Sequence, residues 1–535
     1  MWSQSYDPVA GSLELSALVA MLPVFVVLIL LGVFRKPSWV AAMAGFFSAF
    51  VTSVAVYHMP MTQAVSSSLY GVANGMMPIG WIVFTAILLY RVTVDTGKFE
   101  IIKDSLGNIT SDRAVQALLI AFAFSGFLEG AAGFGTPVAI SAAMLAGLGF
   151  PPFLAASICL LANTAPVAFG SIGIPIVTLQ QVTGLSLDGL SADVGRMCAP
   201  IALILPSYLM LVMGGLPGLR AALPAAITCG VAFAGMQFAI SNYVGPYLAA
   251  LLSAIAAMCA LLILLKFWTP PGDEKRTPSR HTPSEVFLAW SPYLMLVVFV
   301  LVWGTPATKA FLQLDKATVI LHWPALHNVV MKMPPITPAP APYAANYVFN
   351  WLSAAGTACL FASFASALVL RVSPGRLAKL MGATLKQLAL PLVTIGFVLA
   401  LAYLMNYSGQ TATLGLVMAG TGAAFPFFGT LLGWLGVFLT GSDTASNALF
   451  GTLQVVTANQ LGLNPVLSAA ANSSGGVMGK MISLQSIAIA AAATGMPRSD
   501  ESKLLRFTLK HSIFLACLMG VLAMFYSYVA PSWVR

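Results

Sequence analysis

Charged side chains are scarce in this sequence. Only 25 lysines and arginines and 16 aspartates and glutamates occur among 535 residues, about 8%, whereas a soluble domain carries roughly 25%. With 59% hydrophobic residues and a mean hydropathy of +0.90, the chain lacks the polar side chains that coat a soluble domain. The composition therefore excludes a cytosolic enzyme, a nucleic-acid binder and a disordered scaffold, and it leaves a polytopic membrane protein.

Cysteine is also scarce, and no metal or nucleophile motif accompanies it. The six cysteines are scattered through apolar runs without CxxC spacing, which is typical of small buried hydrophobic residues rather than of a disulfide or zinc framework. Neither HExxH nor GxSxG occurs. The run at 474–481 resembles a phosphate-binding loop, but Ser474 replaces its first glycine and Met481 its Ser or Thr. We expect no metal and no cofactor.

Uncharged stretches predict an all-α polytopic membrane protein with about 12 transmembrane helices, because a helix needs about 20 apolar residues to cross a bilayer. Basic residues collect at alternate ends of these stretches, beginning with Arg35 and Lys36 after the first one. By the positive-inside rule this pattern places the N-terminus outside. Arg196 and the lysines of 306–347 do not fit the pattern. That segment reads PPITPAPAP at 334–342, which predicts an extended external loop.

The chain contains an internal repeat. Three matches occur in the same order at offsets of 309 to 312 residues: FLEG at 127–130 with FLTG at 438–441, ANT at 162–164 with ANS at 471–473, and Thr96-Gly97 with Ser408-Gly409. The number of crossings counted between the copies is odd, so the second copy is predicted to be inverted in the membrane. Inverted repeats are typical of secondary transporters.

Each copy is predicted to contain a re-entrant helical hairpin followed by an interrupted helix. The hairpins fall at 114–149, with a turn at 129–136, and at 425–460. The glycines and prolines of 162–175 and the glycines of 471–480 should interrupt the following helices, and non-helical backbone at membrane depth survives where it lines a cavity or is buried in protein. Broken helices present amide and carbonyl groups that bind ions. The alternative is that these residues only kink packed helices, as small-residue contacts do.

Three charges lie well inside these elements: Glu129 at the first hairpin tip, Asp443 at the second, and Lys480 in the second run. A charge at a helix centre costs about 2.5–3.5 kcal/mol on insertion scales, so each is expected to have a role. One alternative is a mutual salt bridge that joins the two halves. The functional hypothesis assigns Lys480 to an anionic substrate and Glu129 to a coupling proton, because apolar surroundings favour a neutral carboxyl group. Asp443 would carry a proton or hold Lys480 when the site is empty.

Four blocks carry a family resemblance: FLEGAAGFGTPVAISAAML, LANTAPVAFGSIGIPI, GSDTASNALFG and ANSSGGVMGKMISLQSIAIA. They resemble the bacterial L-lactate permease family, which includes glycolate permeases, over essentially the whole chain. The resemblance implies a multi-pass protein of the bacterial inner membrane that imports lactate or glycolate by proton symport, with no nucleic-acid partner. The layout is also similar to that of elevator-type transporters, and this analogy alone implies a moving transport domain and a homodimer.

The site hypothesis combines these observations. Lys480 and half-helix amides would hold the carboxylate of a 2-hydroxy acid, and a proton on Glu129 would make the cargo neutral. A neutral cargo avoids about 2.3 kcal/mol per charge per 100 mV of membrane potential. The other substrate-binding candidates are Asn163, Thr164, Asn472, Ser473, Ser474, Phe134, Phe169 and Met478, and the hairpin-tip candidates are Gly133, Gly135, Thr136, Ser442 and Thr444.

Three alternatives stay open from the sequence. The hydroxyls and freed carbonyls of the two interruptions would equally suit sodium coupling, and a channel or a membrane-embedded enzyme would share the composition. The predicted organisation is scaffold helices at 1–112, a transport-domain hairpin and broken helix at 114–183, connecting scaffold at 196–305, the loop at 306–347, scaffold at 348–423, a second transport-domain hairpin and broken helix at 425–495, and a C-terminal helix at 508–530.

Overall fold

The protein is an all-α polytopic membrane protein with a small strand-containing loop. The computed structural model describes residues 1–107, 109–133, 135–270, 281–312 and 316–535. Within these residues, 11 helices are long and apolar enough to cross a membrane, or 12 if the bent pair Pro152–Ala162 and Val167–Thr183 counts as one span. The number agrees with the prediction from the uncharged stretches.

The first third of the chain consists of five helices, a helical hairpin and a broken helix. The five helices are α1 (Leu13–Gly32), α2 (Ser38–Ala55), α3 (Met61–Asn74), α4 (Trp81–Asp95) and α5 (Lys98–Gly107), with a π-helical segment, Gly75–Gly80, between α3 and α4. The first hairpin consists of α6 (Arg113–Ala117), a π-helical segment (Leu118–Phe124), α7 (Ser125–Ala131) and α8 (Thr136–Gly147). The broken helix consists of α9 (Pro152–Ala162) and α10 (Gly170–Thr183).

The middle of the chain begins with one long helical element that consists of two arms. The elements are α11 (Leu187–Tyr243), α12 (Ala249–Phe267), α13 (Pro283–Gly304) and α14 (Pro306–Phe311). Helical geometry in α11 is interrupted at Gly215, whose φ of 62° suits glycine. The Ser191 hydroxyl donates to the Ser241 carbonyl at 2.8 Å, and a Cβ on Gly230 would lie 2.3 Å from the Leu203 carbonyl oxygen. The two arms of α11 are therefore antiparallel.

The segment predicted as an extended loop instead contains short strands. They are β2 (Val319–His322), β3 (Val330–Lys332), β4 (Ala341–Pro342) and β5 (Asn346–Phe349), and they are joined by β1 (Trp2–Ser3) from the first residues of the chain. β3 pairs in parallel with β1 and antiparallel with β4, and β2 pairs antiparallel with β5. Most of the prolines at 334–342 lie in the turn between β3 and β4, where no ladder hydrogen bond is needed, so they do not prevent pairing. We call the end of the molecule that carries these strands the strand face.

The last third contains three further helices, a second hairpin, a second interrupted helix and a C-terminal helix. The elements are α15 (Ala355–Val369), α16 (Pro374–Ser408), α17 (Gln410–Met418), α18 (Phe425–Thr440), α19 (Asp443–Leu461), α20 (Pro465–Lys480), α21 (Leu484–Thr494) and α22 (Glu501–Tyr528). The second hairpin is α18 and α19, with its turn at Gly441 and Ser442.

The two hairpins approach the centre of the molecule from opposite faces. The Gln460 amide at the base of the second hairpin donates to the Pro335 carbonyl at 3.0 Å, which places this base at the strand face. Asp95 at the far end of α4 pairs with Arg376 at 2.6 Å, and α5 and the first hairpin follow directly from that end. We call this opposite end the basic face.

The arginine that did not fit the charge pattern has a local explanation. Arg196 forms a salt bridge with Asp193 at 3.1 Å, and the Asp193 carboxylate is fully buried. Because breaking a buried pair leaves an uncompensated charge, Arg196 is tied to its own helix. It is therefore a partner of Asp193 rather than a marker of membrane topology.

Candidate functional site

The two hairpin tips meet at a cavity that contains all three of the membrane-interior charges. The cavity has a volume of about 90 Å³, roughly the space of three water molecules. Its walls come from the first tip, the broken helix, the second tip and the start of α21. The lining residues are Glu129, Val167, Gly170, Ser171, Ile174, Pro175, Gly441, Ser442, Asp443, Thr444, Lys480 and Gln485. Because these residues lie up to hundreds of positions apart, the site exists only in the folded chain.

Glu129 lies in a close-fitting setting at the first tip. Its side chain is 5% exposed, and the Asn163 amide donates to its Oε2 at 3.2 Å. A Cβ added to Gly170 would lie only 2.7 Å from Glu129 Oε1. Glycine at 170 therefore makes the room that this carboxyl group occupies, and Asn163 orients the carboxyl group from the other side.

The first interruption occurs where the sequence predicts it. α9 and the helical segment that follows it are bent by 64°. Beyond the bend, Ser171 and Ile172 have φ values of 46° and 58°, which are outside the helical range. The Ser171 hydroxyl donates to the Ala132 carbonyl at 3.2 Å, so the non-helical segment is joined to the first tip. Buried non-helical backbone at this depth is tolerated because it lines the cavity.

Asp443 occupies a comparable setting at the second tip. It is the first residue of α19, and the Ser473 hydroxyl donates to its Oδ2 at 2.6 Å. The other oxygen, Oδ1, has no hydrogen-bond partner among the described residues. A Cβ on Gly476 would lie 2.5 Å from Oδ1, so a glycine makes room for this carboxyl group as well.

Lys480 presents its ammonium group to the same cavity. Its Nζ donates to the Gly441 carbonyl at 2.6 Å, and none of the salt bridges formed by the described residues includes it. It nevertheless lies close enough to Glu129 and Asp443 to attract both carboxyl groups electrostatically. The three charges thus share one cavity without the mutual salt bridge that was the structural alternative.

The second interruption is not where the sequence predicts it. The run at 471–480 stays helical as the second half of α20, and the chain leaves the helix only at Met481. Its glycines pack against α18: a Cβ on Gly475 would lie 2.2 Å from the Thr430 carbonyl oxygen, and one on Gly479 would lie 2.3 Å from that of Trp434. Close helix packing through small residues, the alternative interpretation, therefore explains these glycines. The weak helix propensity of glycine is outweighed by this packing.

The other predicted site residues fall into three groups. Ser442 and Thr444 line the cavity, while Asn163 and Ser473 hold its carboxylates, and Asn472 donates to Asn447 Oδ1 at 2.9 Å. Asn163, Asn472 and Ser473 do not line the cavity themselves, and neither do Thr164, Ser474, Phe169, Met478, Gly133, Gly135 and Thr136. Phe134 lies outside the described residues.

Two of the residues that do not line the cavity have other contacts that explain their position. The Thr164 hydroxyl donates to the Leu161 carbonyl at 2.7 Å, which satisfies the end of α9 instead of a substrate. Gly133 lies under Ser171, because a Cβ there would be 2.0 Å from its hydroxyl oxygen. The prediction from hydroxyl-bearing residues and glycines therefore included residues that do not face the cavity.

Sequence reasoning missed several cavity residues, most clearly Ser171 and Gln485. The offset of 309 residues that relates Asn163 to Asn472 also relates Ser171 to Lys480, so applying the repeat to Lys480 would have found Ser171. Gln485 carries no charge and lies outside the recognised repeat, and no signal in the sequence identifies it.

The charged cavity adjoins a wider one toward the basic face. This second cavity, of about 600 Å³, shares Gly441 and Gln485 with the first and is also lined by Arg35, Lys36 and Glu501. The two basic residues follow α1, at the end opposite the strand face. A small anion at Lys480 would therefore have a wide, positively charged approach from the basic face.

The chemistry of this site suits binding rather than bond breaking. It offers one ammonium group, two carboxyl groups, hydroxyls and an amide in a small cavity. Across the described ranges no group of three or more His, Cys, Asp and Glu residues could hold a metal ion. A buried ammonium group favours an anionic partner, and a buried carboxyl group favours either protonation or a cationic partner.

Comparison with known proteins places these features in a family. The family model described as "L-lactate permease" matches residues 16–530. The L-lactate permease of Salmonella typhimurium is 44% identical over 547 residues, covering 99% of this chain and 98% of its own. The glycolate permease GlcA of Escherichia coli is 43% identical over 552 residues, with the same coverage. The crystal structure of the Alcanivorax borkumensis YdaH transporter is a distant likeness, with 15% identity, 98% coverage of each chain and a TM-score of 0.39.

These matches are to membrane permeases rather than to enzymes, and they cover almost the full length of the chain. They confirm the resemblance carried by the four sequence blocks. The protein is a multi-pass membrane protein that belongs to the L-lactate permease family.

Proposed function

We propose that the protein imports a small 2-hydroxy monocarboxylate, lactate or glycolate, by proton symport across the bacterial inner membrane. The observation that carries this proposal is the meeting of Lys480, Glu129 and Asp443 in one cavity of about 90 Å³. The names of the relatives, L-lactate permease and glycolate permease, supply the class of substrate. The charges of the cavity supply the coupling.

Charge balance in the cavity links the substrate to a proton. Without substrate, the cavity is neutral when Lys480 is an ammonium group and one of Glu129 and Asp443 is ionised. With a monocarboxylate bound at Lys480, it is neutral only when both carboxyl groups are protonated. An uncompensated charge at this depth is costly, so binding of the anion is accompanied by binding of one proton.

The two carboxyl groups take different parts in this scheme. Asp443 accepts a hydrogen bond from Ser473 at 2.6 Å, which favours its ionised form opposite Lys480 in the empty cavity. Glu129 accepts only the longer Asn163 bond, at 3.2 Å, and is the group that stays protonated. When the substrate carboxylate neutralises Lys480, Asp443 takes up the coupling proton. Of the two residues expected to carry that proton, Asp443 is thus the carrier, and Glu129 keeps its own proton throughout.

The arrangement of the hairpins supports an alternating-access mechanism. The proposal includes an inverted repeat, because the hairpins reach the cavity from opposite faces. The N-terminus lies outside the cell in this proposal, as the positive-inside rule predicts. It also includes an elevator-type movement of 114–183 and 425–495 against the scaffold helices. A homodimer formed by the scaffold belongs to the same proposal and rests on the analogy with elevator transporters.

Uptake by purified protein in liposomes tests this proposal and separates proton from sodium coupling. Radiolabelled L-lactate, D-lactate and glycolate are offered with an inward pH gradient alone or an inward sodium gradient alone. We expect accumulation with the pH gradient and none with the sodium gradient. Accumulation driven only by the sodium gradient would show that Na⁺, and not the proton, is the coupling ion. Flux without saturation or counterflow would indicate a channel.

A further inference from the structure

A third cavity, which is apolar, lies directly beside the charged one. It has a volume of about 280 Å³ and is bounded by α1, α2, α16 and the second hairpin tip. Its scaffold wall is largely aliphatic and aromatic, with Val27 from α1, Trp39 and Ala42 from α2, and Ile395 and Val398 from α16. None of these five side chains carries a charge, so this wall suits a hydrocarbon group.

The two cavities share part of their lining. Ser442, Thr444 and Gln485 line both the charged cavity and the apolar one. These shared side chains, from the second tip and from α21, form the boundary between the charged cavity and the apolar one. A molecule with a carboxylate at one end and a hydrocarbon chain at the other can therefore place both ends against complementary groups.

We propose that the apolar cavity binds the alkyl chain of amphipathic 2-hydroxy monocarboxylates, whose carboxylate is held at Lys480. This inference rests on the proposed function, because it uses the same carboxylate position. A chain that occupies this cavity lies between the second tip and α1, α2 and α16. It therefore holds the tip against the scaffold, and such acids bind as inhibitors that are not transported.

Chain length sets the expected strength of inhibition. Each methylene group buried against apolar wall contributes about 0.8 kcal/mol, which is a roughly fourfold gain in affinity. The charged cavity holds only about 90 Å³, so chains longer than that of lactate must extend into the neighbouring cavity or bind less well. Inhibition should therefore strengthen from 2-hydroxybutyrate to 2-hydroxyhexanoate, about fourfold per methylene.

The test measures binding and transport separately on the full-length protein in liposomes and detergent. Inhibition of L-lactate uptake and thermal stabilisation are measured with 2-hydroxybutyrate, 2-hydroxypentanoate and 2-hydroxyhexanoate, and lactate counterflow is measured with each acid inside the liposomes. We expect both affinities to rise with chain length, while 2-hydroxyhexanoate drives no counterflow. Affinity that falls or stays level with chain length, or counterflow driven by 2-hydroxyhexanoate, would overturn the proposal.

Two substitutions in the apolar wall and one matched control locate the chain. Val398→Thr keeps the side-chain volume but adds a hydroxyl, and Ala42→Leu fills part of the apolar cavity. Both substitutions should remove most of the gain in affinity with alkyl-chain length. Both should leave L-lactate affinity within about twofold, since neither position lines the charged cavity. Val393→Thr makes the same change on the outside of α16, where the side chain is 41% exposed, and should leave the gain intact.

If affinity rises equally with alkyl-chain length in Val398→Thr, Ala42→Leu and the unaltered protein, the alkyl chain binds elsewhere and the proposed site is refuted. Failure of the proposed function has a different signature: the protein would then show no L-lactate uptake and no stabilisation by L-lactate, whatever the longer acids do. A protein that transports L-lactate but shows no chain-length gain would refute this inference alone.

Discussion

Replacing Gly170 by alanine tests the geometry around Glu129 most sharply. Gly170 has φ −63° and ψ 157°, which any residue adopts, so the substitution adds only a methyl group and no backbone strain. That methyl carbon would lie 2.7 Å from Glu129 Oε1 and 3.2 Å from its Cγ. Both distances are shorter than ordinary carbon contacts of about 3.5–4.0 Å. The carboxyl group must therefore move away from Gly170.

The size of the effect follows from the tightness of the surroundings. Glu129 is 5% exposed, and Asn163 holds its other oxygen at 3.2 Å, so movement of the carboxyl group breaks or lengthens this hydrogen bond. Overpacking of a close-packed interior costs about 1–3 kcal/mol. If overpacking destabilises the transport-competent arrangement of the site by this amount, the rate of transport decreases about 5- to 150-fold.

The assay is initial-rate uptake of radiolabelled L-lactate into proteoliposomes driven by a pH gradient. Gly147→Ala is the matched control, because a Cβ at this glycine at the end of α8 meets nothing within 4 Å. We expect Gly147→Ala to transport normally and Gly170→Ala to be slowed while remaining folded. Full activity in Gly170→Ala would show that Glu129 is not confined as described and would refute the reasoning.

Three further predictions follow from the site and its supports. Asp443→Asn should abolish accumulation against a gradient and leave lactate counterflow intact, because the amide cannot take up the coupling proton; concentrative uptake by this variant would exclude Asp443 from coupling. Lys480→Ala should weaken lactate and glycolate binding alike, about 10- to 150-fold, since hydrogen bonds to charged groups contribute about 1.5–3 kcal/mol, and unchanged affinities would remove Lys480 from the site. Gly479→Ala should lower the Tm of the purified protein, because its Cβ would lie 2.3 Å from the Trp434 carbonyl oxygen and overpacking costs about 1–3 kcal/mol. The control is Gly382→Ala, where a Cβ meets nothing within 4 Å. Equal Tm values for the two variants would contradict the close packing of α20 against α18.

The charged residues of the site were predictable because of a single strong energy term. Burying an unpaired charge in a bilayer is so costly that Glu129, Asp443 and Lys480 stood out among residues that otherwise mark membrane topology. The structure brings all three to one cavity. Intramembrane charge is thus an informative signal even without knowledge of the fold.

The second helix interruption was wrongly predicted because glycine has two opposing effects. Gly475 and Gly479 weaken a helix in isolation, but they also let α20 approach the backbone of α18 within a distance that no larger residue allows. A sequence read alone shows the first effect and not the second, since the second depends on the neighbouring helix. At 162–175, in contrast, two prolines accompany the glycines and the helix does break.

Uncharged residues of the site were the hardest to predict. Gln485 lines the charged cavity and both of its neighbours, yet a single glutamine after a serine-rich stretch carries no distinctive pattern. The strands at 319–349 were also missed, because each is set by its pairing with another segment, β2 with β5 and β3 with β4 and the distant β1, rather than by its own composition. Contacts between remote segments decide both features.

Proton movement during lactate flux tests the central claim most directly. Liposomes containing the protein and a pH-sensitive dye inside are given an inward L-lactate gradient with no initial proton or sodium gradient, at membrane potentials of either sign. A neutral cargo predicts internal acidification by one proton per lactate, at a rate independent of the potential, because no net charge crosses the membrane. Lactate entry without acidification, or entry that changes with the sign of the potential, would contradict the account.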